Sequence, residues 1–142
     1  LIHIFILPEL FSNKDTGIDP KKVTVTSVDQ KFLEEVLVLL ENKFSEPDFG
    51  VPEMQVALAM SKTQLHRKIK ALTNESPGEL LRNFRLKRAA QLLRQKVDSV
   101  SQIAYMVGFN NLSYFAKCFK GLYGVSNGTM LLRNGTFMLV FQ

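Results

Sequence analysis

The chain has 142 residues, of which 46% are apolar and 22% charged, and it carries a formal net charge of +5. This length allows one domain or two small subdomains, and the composition excludes an intrinsically disordered chain. The single cysteine, Cys118, excludes an internal disulfide and is typical of a reducing compartment, and with only two histidines beside it no Cys/His metal site can form.

Residues 1–30 are predicted to be a linker or a remnant of an upstream region. The opening sequence LIHIFIL is too short to cross a bilayer and lacks the flanks of a signal peptide. Residues 12–30 combine turn-forming residues with a short β-like VTVT segment. The chain starts at Leu1 and not at methionine, which indicates a fragment of a longer protein.

Helices are predicted from residue 31 onward, because apolar residues recur at helical spacing between capping sequences. The predicted spans are 31–44, 51–58, 62–73, 77–95, 100–107 and 111–123. Capping-box sequences begin the third, fourth and fifth helices: SKTQ (61–64), SPGE (76–79) and SVSQ (99–102). Gly50 with Glu53 begins the second helix, and Asn110 or Asn111 begins the sixth. The pattern predicts an all-α fold.

Two halves of the chain match when it is shifted by 49–50 residues. The matching positions are Met54, Leu58, Ala59 and Met60 in the first half and Ile103, Val107, Gly108 and Phe109 in the second. Each half is therefore predicted to be a helix-turn-helix. Gly108 supplies the positive φ of the turn and Phe109 fills the space between the helices. The first half has Ala59 instead of glycine.

The second helix of each half separates into an apolar face and a polar face. The residues predicted to be in the core are Met54, Leu65, Ile69, Phe109, Phe115 and Phe119, and Leu72 and Tyr114 are also expected to face inward. The outward residues are Lys62, Thr63, His66, Arg67 and Lys70 in the first half and Ser113, Ala116, Lys117 and Lys120 in the second. Such a face suits a DNA major groove, and asparagines at a helix amino end can hold a phosphate.

Basic residues are concentrated in the middle of the chain. Residues 61–96 hold ten Lys/Arg and two acidic residues, a local net charge of +8, whereas residues 1–60 have a net charge of −5. This distribution favours nucleic acid as partner, with a membrane surface second. The cluster Arg82, Arg85, Lys87 and Arg88 binds phosphate or is simply the solvated face of a connector helix; the sequence leaves both alternatives open.

The chain resembles the DNA-binding domain of the AraC/XylS family of bacterial transcription regulators. The resemblance is carried by MSKTQLHRKIKALTNESPGELLRNFRLKRAAQLL (60–93) and VSQIAYMVGFNNLSYFAKCFKGLYGVS (100–126). It implies a first helix-turn-helix subdomain at 31–75, a connector helix at 76–96 and a second subdomain at 97–126, whose recognition helices enter successive major grooves. Asn127 stands where the family has proline, and an atypical apolar tail, 127–142, follows. In this tail an Asn-Gly pair between MLLR and TFMLVF predicts a hairpin turn.

The resemblance also implies functional residues and partners. The base contacts would be Thr63, His66, Arg67, Leu112, Ser113 and Lys117, and the DNA backbone contacts would be Lys62, Lys70, Asn110, Asn111 and Lys120. The partners would be double-stranded DNA and RNA polymerase, the full-length protein would be a dimer, and no cofactor or metal would be needed.

The region 23–51 is similar to the segment that precedes the output domain in hybrid two-component sensors, so we expect a cytoplasmic output module. An enzyme is not expected, since no nucleophile is paired with a base and no P-loop is present. The alternative is a helical protein-interaction module with an incidental basic face.

Overall fold

The computed structural model describes residues 26–124 and two strand segments further on. Within these residues the helices are α1 Ser27–Lys43, α2 Val51–Leu58, α3 Lys62–Thr73, α4 Pro77–Arg94, α5 Val100–Met106 and α6 Leu112–Tyr123. The strands β1 Met130–Arg133 and β2 Thr136–Leu139 pair antiparallel, with Met130 opposite Leu139. The predicted all-α class is confirmed for 26–124, and the β1–β2 pairing is the one that the predicted hairpin requires.

Several predictions concern residues outside this description. The linker residues 1–25, the family positions Ser126 and Asn127, and the Asn134–Gly135 turn all lie outside the described residues. No helix of the described part is both long enough and apolar enough to cross a membrane.

Side-chain caps set the helix starts where the sequence predicts them. Before α3, the Ser61 hydroxyl accepts from the Gln64 amide at 3.2 Å and the Gln64 side chain accepts from the Ser61 amide at 3.1 Å. Ser76 and Glu79 form the same reciprocal pair before α4, at 3.2 and 2.9 Å. Each pair satisfies two amides that the first helical turn would otherwise leave without partners, which fixes the residue at which the helix begins.

The first helix begins four residues earlier than predicted, at Ser27 instead of residue 31. Thr26 explains the difference. Its hydroxyl accepts from the Asp29 amide at 3.2 Å and donates to the Asp29 carboxylate at 2.7 Å, so Thr26 caps the helix. The sequence Thr-Ser-Val-Asp predicts this cap, but Thr26 is also the last residue of the β-like VTVT segment, which favoured a strand there. Residues 27–30 are therefore helical and are not part of a linker.

The described chain divides into two compact units. The first contains 26–43 and 49–81, and the second contains 44–48 and 82–124. The core of the first unit includes Val36, Leu40, Met54, Leu65 and Ile69, all with no exposed area. The core of the second includes Ala90, Ile103, Phe109, Phe115 and Phe119. All six residues predicted to be core are buried, at 0–5% exposure. Leu72, expected to face inward, is only partly buried.

The two halves make the same turn. The amides of Ala59 and Gly108 donate to the carbonyls of Val56 and Tyr105, three residues earlier, at 3.2 and 3.1 Å. The next amides, of Met60 and Phe109, each donate to a carbonyl five residues earlier, at 3.0 Å in both halves. Both turns need a positive φ, 51° at Ala59 and 98° at Gly108. The predicted repeat is therefore present at the level of single hydrogen bonds.

Gly108 also has no room for a side chain. A Cβ at this position would lie 2.4 Å from the carbonyl oxygen of Phe44 and 2.8 Å from Nε of Arg85. These two groups are bonded to each other, since Arg85 Nε donates to Phe44 O at 2.7 Å, and Arg85 Nη2 donates to Glu46 O at 2.8 Å. The Phe44–Asp48 segment is thus held in the second unit by α4 and the α5–α6 turn.

Candidate nucleic-acid interface

The α3 helix is anchored on one face and free on the other. Leu65 and Ile69 are fully buried in the first unit. The cap at Ser61 fixes the amino end, and Asn74, with φ 60°, ends the helix by donating its amide to Lys70 O at 2.9 Å. With both ends and the inner face fixed, the orientation of the outer face follows from the helical repeat of 3.6 residues per turn.

The five residues predicted to face outward from α3 are all exposed: Lys62, Thr63, His66, Arg67 and Lys70. The helix contains no acidic residue, so no carboxylate on it opposes an anionic ligand. Lys70 has one intramolecular contact, because its ammonium donates to the Asn74 carbonyl at 2.9 Å. Two further ammonium hydrogens remain for other acceptors. The face as a whole can donate several hydrogen bonds and can attract phosphate.

The α6 helix has the same construction in the second unit. Phe115 and Phe119 are fully buried, and Asn111 is the cap, with its Oδ1 accepting from the Tyr114 amide at 2.8 Å. The sequence predicts either Asn110 or Asn111 as the cap of this helix, and in the structure the cap is Asn111. Ser113, Lys117 and Lys120 are exposed, as predicted, whereas Ala116, also predicted to face outward, is half-buried. Asn110 and Leu112 are exposed as well.

One prediction for α6 is wrong. Tyr114 was expected to face inward with Phe115, but half of its surface is exposed. Its neighbour Phe115 occupies the inward position. Because successive residues are about 100° apart around a helix, Tyr114 points away from the core. The Tyr114 ring lies with its centroid 6.0 Å from that of Phe109, at an interplanar angle of 51°, so the ring is positioned beside the turn. Tyr114 therefore adds an aromatic group and a hydroxyl to the exposed face of α6.

Two of the four residues in the basic cluster of α4 have contacts within the fold. Arg85 holds the Phe44–Asp48 segment, and the partial burial of its guanidinium lowers the pKa of Arg85 below its ordinary value by removing water from the charged form. Arg88 donates to Gln91 at 3.3 Å and lies 6.0 Å from the centre of the Phe44 ring. Arg82 and Lys87 are half-buried. Arg85 and Arg88 therefore make contacts within the fold and are more than a solvated face of the connector helix.

Lys68, in the basic middle of the chain, is also occupied within the fold. Its ammonium lies 4.1 Å from the centre of the Phe32 ring, a cation–π contact in the first unit. Lys68 is half-buried, unlike the five exposed outward residues of α3. Among 26–124, no group of three or more His, Cys, Asp or Glu residues is arranged to hold a metal ion.

A family model described as a helix-turn-helix domain matches residues 56–133, more than half of the chain. The chain belongs to the AraC/XylS family of helix-turn-helix domains. The matched region includes α3, α4, α5 and α6, so it contains both helices whose outer faces are basic. The match is to this helix-turn-helix module and not to a catalytic domain.

This AraC/XylS domain is similar to parts of three signalling or regulatory proteins. It is 41% identical over 110 residues to histidine kinase P4 of Formosa agariphila, covering 78% of this chain and 8% of that protein. It is 37% identical over 83 residues to the HTH-type transcriptional regulator MtrA of Neisseria gonorrhoeae, covering 58% of this chain and 28% of that protein. The solved C-terminal domain of AraT, a response regulator from Geobacillus stearothermophilus, superimposes with a TM-score of 0.61 at 27% identity, covering 73% of this chain and 83% of that one.

Proposed function

We propose that this AraC/XylS domain binds double-stranded DNA sequence-specifically and so regulates transcription, with α3 and α6 as recognition helices in successive major grooves. One observation carries the proposal: α3 is fixed at both ends and along its inner face, and it exposes a run of hydrogen-bond donors without a carboxylate. The α6 helix is likewise free of acidic residues. An outward face of this kind favours a polyanion and leaves its side chains available for base edges.

The α3 residues divide by chemistry into base contacts and phosphate contacts. Arg67 can donate two parallel hydrogen bonds to O6 and N7 of guanine, the most frequent specific contact in the major groove. His66 can donate to the same kind of acceptor, and Thr63 offers both a hydroxyl and a methyl group. Lys62 and Lys70, at the two ends of the exposed face, are the proposed phosphate contacts of α3.

In α6 the proposed base contacts are Leu112, Ser113 and Lys117. Asn111 uses its side-chain oxygen for the helix cap, so its NH₂ group is the part that can donate to a phosphate. Asn110 and Lys120, both exposed, are the further backbone contacts. These assignments rest on exposure and helix position, and on the family resemblance of this segment.

The chain spans 8% and 28% of the lengths of the first two curated relatives it matches. We therefore infer that it is an output module whose activating signal is received elsewhere in a larger protein. Dimerisation and a contact with RNA polymerase belong to this proposal and would be properties of the full-length protein. A module that binds chromosomal DNA in a bacterium would act in the cytoplasm.

The decisive experiment compares Arg67→Ala and Arg67→Lys with the original chain on a duplex selected from a random pool and on an unselected duplex. Loss of a bidentate guanine contact should weaken binding to the selected duplex by about 5- to 150-fold. Arg67→Lys should lose most of the same preference because lysine keeps the charge but not the fork of donors. Lys31→Ala, which removes an exposed positive charge from α1, is the matched control and should change both affinities little.

Two results would contradict the proposal in different ways. An equal loss on both duplexes would reassign Arg67 to a phosphate contact. Absence of salt-dependent retention of any duplex would favour the alternative, a helical protein-interaction module. For DNA binding, the slope of log affinity against log salt should fall by about 0.9 when a phosphate contact such as Lys120 is replaced by alanine.

A further inference from the structure

We propose that α6 recognises thymine through a methyl contact made by Leu112, so that the two recognition helices select chemically different segments of one operator. This inference rests on the proposed DNA binding and adds the class of base that each helix prefers. The α3 helix would select guanine through Arg67, and the α6 helix would select a thymine-bearing segment.

The caps define which residues of the two helices correspond. Both helices have twelve residues, and both have an N-cap side chain that accepts from the amide three positions later, Ser61 for α3 and Asn111 for α6. Both end at a residue with left-handed backbone, Asn74 with φ 60° and Gly124 with φ 66°. The two helices therefore start fifty residues apart and end fifty residues apart, so every α3 residue corresponds to the α6 residue fifty positions later.

This correspondence shows what α6 lacks. Lys62, the first residue of α3 and a proposed phosphate contact, corresponds to Leu112, whose apolar side chain cannot make that contact, and His66 corresponds to Ala116. Two donors of α3 are therefore replaced by apolar side chains at the corresponding helix positions, of which Leu112 is exposed and Ala116 is half-buried. Leu112 is 41% exposed although it is a leucine, so this apolar side chain remains open to a ligand.

The chemistry of the major groove indicates what an apolar side chain there can read. Leucine cannot exchange a hydrogen bond with a base, and the C5-methyl of thymine is the apolar group that base pairs present in this groove. Leu112 stands directly between Asn111, a proposed phosphate contact, and Ser113, a proposed base contact. A duplex that reaches both neighbours would also cover Leu112, and burying its side chain against a methyl removes apolar surface of both from water.

The test starts from a duplex selected with the full chain and replaces each thymine in turn by deoxyuridine, which removes one methyl and keeps every hydrogen-bonding group. The original chain should bind at least one substituted duplex about fourfold more weakly, the factor that corresponds to burial of one methyl group. Leu112→Ala should lose this preference at one or more of the positions where the original chain shows it. Val38→Ala, a truncation of a side chain 49% exposed on α1, should keep the fourfold preference.

Leu112→Met is a second variant that keeps an apolar side chain of similar volume and should retain the preference. Equal binding of thymine and uracil at every position by the original chain would overturn the inference, and so would a Leu112→Ala variant that keeps every thymine preference of the original chain. Both results leave selective DNA binding intact. Failure to select any preferred duplex would instead overturn the proposed function, and the inference with it.

Discussion

Replacing Gly108 by alanine tests the turn of the second helix-turn-helix most directly. Alanine at φ 98° carries the left-handed backbone penalty, about 1–2 kcal/mol. Its Cβ, 2.4 Å from Phe44 O, would also force apart the Arg85–Phe44 hydrogen bond, and a bond to a charged group contributes about 1.5–3 kcal/mol. Alanine offsets about 0.4–1 kcal/mol of this by reducing the entropy of the unfolded chain. The net loss in free energy of unfolding is therefore roughly 2–4 kcal/mol.

The measurement is urea and thermal unfolding followed by circular dichroism. A loss of this size should lower Tm by roughly 10–25 °C for a unit of this size. Gly121→Ala is the matched control, because Gly121 lies within α6 and an added Cβ there meets nothing within 4 Å. This control should be more stable than the original chain by about 0.5–1 kcal/mol. Equal stability of Gly108→Ala and the original chain would refute the steric and backbone reasoning together.

Three further predictions use the same unfolding measurement. Ala59→Gly should raise the free energy of unfolding by about 0.5–1 kcal/mol, because Ala59 has φ 51°; a decrease would mean that the unfolded-state entropy outweighs the turn strain. Arg85→Met should lower it by about 2–4 kcal/mol, because the carbonyls of Phe44 and Glu46 lose their charged donor, and an unchanged value would contradict that role. Ser61→Ala should cost about 1 kcal/mol through loss of the α3 cap, whereas Ser61→Gly should cost only a few tenths.

Local sequence signals predict most of this fold because the helix ends are determined by residues close in sequence. The caps at Ser61, Ser76 and Asn111 each involve partners three residues apart, and the predicted and observed starts of α3 and α4 agree. The start of α1 was missed although its cap is equally local, because a β-like run precedes Thr26. Local chemistry is therefore informative where neighbouring patterns do not compete with it.

Contacts between distant residues could not be predicted in this way. Arg85 and Phe44 are 41 residues apart, and nothing in either local sequence marks them as partners. The glycine at 108 was predicted from its backbone requirement alone, whereas the approach of Phe44 O adds a second, independent reason for it. Tyr114 was misplaced because an aromatic residue beside Phe115 resembles core, and only the packed position of Phe115 shows which of the two is inside.

The candidate site likewise has features that the local sequence predicts and features that it does not. Exposure of the outward residues of α3 and α6 follows from helical periodicity and is confirmed for all of them except Ala116, which is half-buried. Which bases they contact depends on a DNA ligand, so the base-contact set stays a prediction. The role of the basic cluster of α4 could not be predicted from the sequence, because the guanidinium groups of Arg85 and Arg88 donate to partners inside the fold.

The position of Phe44–Asp48 has a practical consequence for protein engineering. A fragment limited to residues 82–124 would lack the backbone carbonyls to which Arg85 donates. It would also lack the Phe44 ring, which packs on Phe84 at a centroid distance of 5.4 Å. A chimaera that exchanges the second unit therefore has to take Phe44–Asp48 and residues 82–124 from the same protein.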